Sequence, residues 1–326
     1  MELIQGADTR ETKHVSWLDM PANDNWILDA TYVDRSNMRN RVSFDVWNKI
    51  QQSSAANGFD VLHSSSLGHF VEVFLNNRYH GLFCLNERLD DVSLQLPETG
   101  FLYKSREWSA ATLYEGVIPD TSKNLPEWSG WELKFPKPDN EIIWKPLYDF
   151  VNFVSNSSST EFNNNIDSQL TLDQAIDYFI FMNVIQGHDN SGKNLFMAKR
   201  SEYEPFYICP WDLDATWGRN WLAEPSLSQS LISFKLFDRL MDLDPEHFNE
   251  RLSKRWFELR KDVLSHENLL SHFHNYEKQI SGSGAVGREK HRWPGALDDI
   301  QTEIEYIENW TTQRLSILDG IFGKMQ

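Results

Sequence analysis

The sequence predicts a mixed α+β fold, in which strands dominate residues 1–140 and helices dominate residues 141–326. Two patterns support this prediction. Apolar residues alternate with polar ones on both sides of a polar turn within residues 71–90, which is typical of a β-hairpin. Over residues 234–280 and again over 297–322, apolar residues recur at the spacing of amphipathic helices.

The composition narrows the class of protein. Of the 326 residues, 40% are hydrophobic and 13% are aromatic, which is typical of a folded protein with a deep core and excludes wholesale disorder. The 48 acidic and 31 basic residues give a formal net charge of −17. Such a charge repels phosphate backbones and anionic membranes, so the sequence disfavours a nucleic-acid partner and favours a basic one.

Cysteine content and hydropathy bear on the cellular compartment in which the protein is expected. Cys84 and Cys209 are the only cysteines, so neither a disulfide framework nor a CxxC zinc site is expected. Residues 1–17 contain no apolar core of a signal peptide, and no window approaches the 18 or so apolar residues of a transmembrane helix. We therefore expect a soluble chain without a membrane span, either cytoplasmic or part of a longer secreted protein.

The first elements are expected to form a small sheet. The alternating apolar positions of the hairpin are Val71, Val73, Leu75, Leu82 and Cys84. The run FLYK at residues 101–104 follows the breakers Pro97 and Gly100 and is expected to extend the same sheet. The polar stretch NSSSTEFNNN at residues 156–165 predicts a loop or linker near a lobe boundary.

A helix, a polar loop, a hairpin and an acid follow in that order. Thr171 is the expected N-cap, Gln174 is expected to complete a capping box, and Gly187 is expected to end the helix. The loop HDNSGKN at residues 188–194 comes next. Two predicted strands, LFMAKR and FYICPW, then lead to Asp212.

The loop carries a candidate catalytic pattern. Asp189 lies five residues before Asn194, between a buried-looking helix and a strand, which is the spacing and context of the catalytic loop of protein kinases. Asp212 follows the next hairpin, as the metal-binding Asp of kinases does. Asn194, Asp212 and Asp214 offer oxygen ligands for a hard divalent cation. The alternative is a hydrogen-bonded turn without catalytic function, because such Asp and Asn pairs also arise by chance.

Several stretches, in the same order, resemble the CotH (spore coat protein H) family of atypical kinases. They are WLDMPANDNWILDATYVDRSNMRNRVSFDVW, VEVFLNNRYHGLFCLNERLD, FLYKS, WELKF, HDNSGKNLFMAKR and YICPWDLDATWG, within residues 14–320. Members of this family are similar to highly reduced protein kinases that transfer the γ-phosphate of ATP to serines, notably in spore coat substrates. The resemblance implies a bilobal kinase-like fold, with a small β-containing N-lobe at 1–140, a larger mostly helical C-lobe at 141–326, and the active site between them.

The resemblance also implies roles for individual residues. Asp189 would be the catalytic carboxylate and Asp212 a ligand of Mg²⁺, for which Mn²⁺ is an alternative. Lys104 would contact the α and β phosphates of ATP, with Glu87 as its acidic partner; a surface lysine on an edge strand and a solvated carboxylate are the plainer interpretations. Glu132 and Lys134 form a second candidate charged pair near the cleft. The acceptor would be a serine-containing, basic protein.

The sequence departs from ordinary kinases in two places. The hairpin has only Gly81 and no G-x-G-x-x-G phosphate cover, and the DFG triad is absent. Transfer of AMP or of glutamate, and a non-catalytic coat scaffold, therefore stay open as alternatives. Residues 282–287 do fit G-x-G-x-x-G, but they follow a helix and predict a flexible loop. The histidines at 266, 272 and 274 lie on charged helices and predict solvated side chains rather than a metal site.

Overall fold

The computed structural model describes residues 1, 12–56, 63–117, 125–138, 142–295, 297 and 299–325. It confirms a mixed α+β fold, with two antiparallel sheets and a helical C-terminal half. Residues 2–11, which are most of the stretch 1–17 on which the absence of a signal peptide was judged, lie outside the described residues. Within the described ranges, no helix combines the length and the apolar character needed to cross a bilayer.

The strands are short and lie mostly in the first half of the chain. They are β1 (Trp26–Asp29), β2 (Gly68–Leu75), β3 (Arg78–Glu87), β4 (Phe101–Ser105), β5 (Glu127–Trp128), β6 (Trp131–Phe135), β7 (Leu195–Lys199) and β8 (Tyr207–Pro210). The helices are α1 (Arg39–Ala56), α2 (Lys145–Asn156), α3 (Ser159–Gln169), α4 (Leu172–Ile185), α5 (Lys235–Leu243), α6 (Phe248–Arg260), α7 (His266–Gly282), α8 (Ala285–Arg292) and α9 (Ile300–Phe322). The prediction of a flexible loop at 282–287 is wrong: Gly282 is the last residue of α7, a turn at residues 283 and 284 follows, and α8 begins at Ala285.

The predicted hairpin is present as β2 and β3. Its two-residue turn consists of Asn76 and Asn77, which both have left-handed φ angles (49° and 61°), and Asn is one of the few residues that favour such turns. Strand β1 pairs with the other edge of β3, which gives a three-stranded sheet in the order β1-β3-β2.

The prediction that residues 101–104 extend the hairpin sheet is wrong. Strand β4 instead lies inside a second sheet, in the order β5-β6-β4-β7-β8. Leu102 and Tyr103 are both fully buried, as expected of an interior strand covered on both faces. Because β7 and β8 follow far along the chain, strands from 1–140 and from 141–326 share this sheet.

The prediction of a loop or linker at residues 156–165 is also wrong. Residues from Ser159 onward form α3, and the Ser158 side chain caps the helix by accepting a hydrogen bond from the Glu161 N–H. Phe162 and Ile166, four residues apart, are both buried. One capping serine and one apolar pair therefore outweigh the polar composition of the stretch.

Helix α4 is the central element of the core. Of its fourteen residues only Asp173 is not buried. Thr171 is the N-cap as predicted, but the capping box does not form, because Gln174 hydrogen-bonds strand β8 instead. The helix ends at Ile185 because Gln186 adopts a left-handed conformation (φ 56°), one residue before the predicted stop at Gly187. The loop 188–194 thus begins at the end of a fully buried helix.

Candidate active site

Asp189 lies in the loop between α4 and β7, at the start of a single 3-10 turn, Asp189–Ser191. Its carboxylate remains partly exposed, and the Lys193 Nζ is 3.6 Å from it. The backbone N–H of Lys193 donates to the Asp189 carbonyl at 3.0 Å, which closes the turn. The loop therefore presents a carboxylate to solvent beside a lysine.

Strand β4 holds the same loop from the other side. The Ser105 hydroxyl donates to the Gly192 carbonyl (2.7 Å), and the Asn194 N–H donates to the Ser105 carbonyl (3.0 Å). Gly192 is required by space, since a Cβ there would lie 2.7 Å from atoms of Trp108 and of Leu113. These contacts bring the end of β4, and with it Lys104, next to the loop that carries Asp189.

The segment that follows β8 is bonded to the loop as well. The Trp211 N–H donates to the Asn194 carbonyl at 3.0 Å. The Asn190 Nδ2 donates to the carbonyls of Asn194 and Trp211, both at 2.8 Å. Asn194 and Asp212 have left-handed φ angles of 54° and 55°, a conformation uncommon outside glycine. Asp189, Asn194 and Asp212, which the sequence analysis had grouped, are thereby close in space.

The Asp212 side chain is exposed to solvent, although many protein atoms lie around its carboxylate. It forms no hydrogen bond or ion pair with the rest of the described chain. Burial raises its pKa; Lys104 opposes that effect most strongly, whereas the carboxylates of Asp29 and Asp189 add to it. Asp212 is thus an acid crowded by other acids and opposed by a lysine.

Asp214 belongs to the same acidic group. Burial, together with the neighbouring carboxylates of Asp212, Asp34 and Asp29, raises its pKa to about 7. Asp29, at the end of β1, was not singled out from the sequence, because a lone acid after a short strand has no distinctive spacing. The Asn40 Nδ2 donates to Asp29 at 2.9 Å.

Residues behind the acidic segment fix its backbone. The Asn40 Oδ1 accepts from the Leu213 N–H at 3.1 Å. Arg39, fully buried, donates to the Thr216 carbonyl (3.0 Å) and pairs with Asp34 (2.6 Å) and Glu303 (2.5 Å). Thr216 and Glu303 are distant in the chain, and the pairing with nearby Asp34 has no distinctive spacing, so the sequence did not single out Arg39.

The donor set fits a hard divalent cation. Asp212, Asp214 and Asn194 supply carboxylate and amide oxygens, and the Asn194 side chain makes no hydrogen bond within the described ranges. A cation would also relieve the repulsion that raises the pKa values of the two acids. Among the residues that the structure describes, no three His, Cys, Asp or Glu side chains converge into a metal cage. Two carboxylates and an amide are a donor set of the kind that Mg²⁺ takes when phosphate oxygens and water complete its shell.

Lys104 is half-buried on an interior strand, so it is not the edge-strand lysine of the alternative interpretation. Its Nζ lies 5.7 Å from the centre of the Trp211 ring and 5.8 Å from that of Phe196. Burial lowers its pKa, Lys134 lowers it further, and Glu132 and Asp212 oppose the shift. Its ammonium is thus a partly desolvated charge that faces the Asp212 segment.

The remaining predicted charged residues divide between the two sheets. Glu132 and Lys134 form an ion pair of 2.6 Å on β6, and Glu132 is directly opposite Lys104. Glu87 lies in β3 of the other sheet and accepts from the Leu67 N–H at 2.9 Å. Burial raises the pKa of Glu87. The acidic neighbours of Lys104 are therefore Glu132 and Asp212, rather than the expected Glu87.

The cysteines are buried as expected, and His266 and His274 are exposed as expected, but His272 is partly buried and burial lowers its pKa. Cys84 and Cys209 are free and buried, and burial raises the pKa of Cys84 to about 12, which is unfavourable for a nucleophile. His274 contacts Glu308 (3.0 Å) and His266 contacts Thr312 (2.8 Å) at the surface between α7 and α9.

Comparison with known proteins finds a matching family and a relative. Residues 4–318 match the family model described as CotH kinase protein. Over 196 residues the chain is 22% identical to inner spore coat protein H of Bacillus subtilis (strain 168). That alignment covers 59% of this chain and 50% of the relative, so the match spans about half the length of that protein.

Proposed function

The chain belongs to the CotH kinase protein family, and on that premise we propose that it is an ATP- and Mg²⁺-dependent kinase of protein Ser or Thr residues. The observation that carries this proposal is the meeting of a lysine from β4, an acid and an amide from the loop 188–194, and an acid after β8. These groups come from three separate segments, and a scaffold would not need them together. The similarity to inner spore coat protein H supports a role in a spore coat.

The chain's own groups have distinct roles in this proposal. A bound magnesium–ATP complex would supply the phosphoryl group and neutralise part of its charge. Asp189 would accept a hydrogen bond from the acceptor hydroxyl and orient it, with Lys193 beside the carboxylate. Lys104 would pair with phosphate oxygens, while Asp212, Asn194 and Asp214 would hold the metal (Mn²⁺ being an alternative). Rate enhancement would come from positioning and charge stabilisation.

We further propose that residues 1–140 and 141–326 correspond to the two lobes of a kinase-like fold, joined by the five-stranded sheet that takes strands from both. In that arrangement the hairpin β2–β3 would cover the nucleotide. Direct contacts of Glu87 and Lys134 with the nucleotide remain predictions. The acceptor is proposed to be a basic, serine-containing protein, because the chain carries a net charge of −17.

The test separates the two acids by role. Asp212→Asn should lower Mg²⁺-dependent ATP binding together with activity, because a carboxylate ligand of a dication is lost. Asp189→Asn should leave ATP binding within about threefold but slow turnover by about 10²-fold or more. Calorimetric titration with ATP and Mg²⁺, and transfer of label from γ-labelled ATP to a basic serine peptide, measure both. Asp242→Asn, an exposed change on α5, is the matched control.

Three outcomes would contradict the proposal. A full-rate Asp189→Asn enzyme would remove the loop from catalysis. Transfer of label from the α-phosphate, or attachment of glutamate seen by mass spectrometry, would assign a different transfer reaction to the same site. Absence of both nucleotide binding and transfer in the unmodified protein would favour the coat scaffold.

A further inference from the structure

We propose that Asn190 is a positioning residue: its side-chain amide fixes the loop that carries Asp189 and Asn194 relative to the segment that carries Asp212. The consequence for catalysis rests on the proposed function. The positional consequence does not, and it can be measured without any substrate.

The amide of Asn190 bridges the two segments directly. A primary amide nitrogen has two N–H groups, and here each has its own acceptor, the Asn194 carbonyl and the Trp211 carbonyl, both at 2.8 Å. Both neighbours of Nδ2 are carbonyl oxygens, so the opposite orientation of the amide would oppose acceptor to acceptor. Asn190 is only 2% exposed, which leaves water little access to replace these bonds.

The two carbonyls belong to peptide groups that determine the direction of the candidate ligands. The Asn194 carbonyl lies in the peptide group directly after Asn194, and the Trp211 carbonyl lies in the one directly before Asp212. Asn194 and Asp212 are held in the left-handed region, where a non-glycine residue persists only if its surroundings enforce it. Asn190 bonds both of these peptide groups at once.

Asn190 is itself anchored to the middle of α4 and to the residues that follow the helix. Its carbonyl accepts from the Tyr178 hydroxyl at 2.6 Å, and its N–H donates to the Gly187 carbonyl at 3.1 Å. A Cβ on Gly187 would lie only 2.6 Å from the Asn190 Oδ1, so the glycine leaves room for this orientation of the amide. The bridge is therefore connected to the most buried helix of the protein.

Aspartate or alanine at position 190 could not donate the two hydrogen bonds that Asn190 donates. Aspartate has the same shape but would direct oxygens at two carbonyl oxygens, and alanine would leave both carbonyls without this donor. Neither variant removes a group that we assign to substrate, metal or phosphate. An effect of either one on turnover would therefore act through position.

Hydrogen–deuterium exchange of the metal-free protein tests the positional claim. In Asn190→Asp and Asn190→Ala, we expect the N–H groups of Asn194 and Trp211 to exchange at least about tenfold faster, while those of the β4–β7 ladder keep wild-type rates. Tyr178→Phe, which removes a hydrogen bond to the same residue without touching the bridge, should leave Trp211 protected. If an Asn190 variant folds poorly, Gly187→Ala should displace the amide and give the same paired change.

Kinetics test the catalytic consequence on the same proteins. We expect turnover at saturating ATP to fall by about 10²-fold in Asn190→Asp, the scale of a misplacement of about 1 Å, with the KM for the acceptor within about threefold. Tyr178→Phe should stay within about threefold of wild type. Unchanged exchange at Trp211 in both Asn190 variants would overturn the positional claim. Faster exchange with wild-type turnover would overturn the catalytic consequence. If the unmodified protein transfers no phosphate, the proposed function fails, and the exchange data still decide the positional claim.

Discussion

At the scale of single residues, Lys104 is the most direct test of nucleotide contact. Lys104→Ala should weaken ATP binding by about 10- to 100-fold, the range expected when a charge-assisted hydrogen bond is lost, and should leave the fold intact. Lys104→Arg should restore only part of the ATP affinity, because a planar guanidinium does not replace a compact ammonium. Titration calorimetry measures the affinity, with Lys254→Ala on α6 as control. Unchanged affinity in Lys104→Ala would transfer the phosphate contact to another cation, with Lys134 tested first.

Asp214 predicts how stability depends on pH. Its pKa is raised from 3.8 in the reference state to about 7, so between about pH 4 and pH 7 the native protein binds more protons than the unfolded chain. The free energy of unfolding of the metal-free protein should therefore decrease as the pH rises through that window. Asp214→Asn should remove this loss and be more stable than wild type at about pH 8, with little difference near pH 4. Urea unfolding in the presence of a chelator, at several pH values, measures the free energies of unfolding of both proteins. A difference between them that does not change with pH would refute this prediction.

At the scale of elements, the side chain of Gln174 connects α4 to β8 through two hydrogen bonds. Strand β8 is an edge of the five-stranded sheet, and Gln174 satisfies the outward backbone groups of Ile208 by donating to its carbonyl (2.5 Å) and accepting from its N–H (3.0 Å). Gln174→Ala leaves both buried groups unpaired and should lower the free energy of unfolding by about 2–4 kcal/mol. Gln174→Glu keeps only the acceptor and should fall between. Urea unfolding measures these changes. A decrease in the free energy of unfolding of less than about 0.5 kcal/mol in the alanine variant would contradict the prediction.

Some elements could be predicted from the sequence because their signals are local. The hairpin and the start of α4 at Thr171 depend on alternation, helical spacing and turn residues within a short window. The order of loop, hairpin and acid likewise identified Asp189, Asn194 and Asp212 as a group. Local patterns do not reveal which strand pairs with which, so the neighbours of β4 were mistaken. Composition also misled at α3, where Ser158 and Phe162 outweigh the polar residues.

Several residues of the candidate site could not be predicted from the sequence for a similar reason. Asp29, Arg39 and Asn190 act through contacts with backbone groups or carboxylates that only the folded chain brings near. Their types and spacings are ordinary in the sequence. Glu87 was assigned to Lys104 because it ends a neighbouring strand in the chain, yet the two residues lie in different sheets.

At the scale of the whole molecule, the excess of acidic residues should govern the encounter with the acceptor. A net charge of −17 attracts basic peptides, and salt screens that attraction over about 8 Å at physiological ionic strength. Basic serine peptides should therefore be modified faster than acidic ones at low salt, and the difference should shrink as salt is added. Rates on matched peptide pairs measure this. Equal rates at low salt would mean that local contacts alone decide.

The pairing of β4 with β7 also determines when, during synthesis, the candidate site can assemble. Lys104 receives its neighbour Phe196 only after the ribosome has added nearly a hundred more residues, and Asp212 comes later still. Closing so long a loop costs entropy before any contact repays it, so this sheet should form late and slowly compared with the β2–β3 hairpin. A nascent chain that stops before β7 would leave one edge of β4 unpaired, and such an edge is prone to aggregation. The candidate site should therefore assemble in one late step rather than gradually as the chain lengthens.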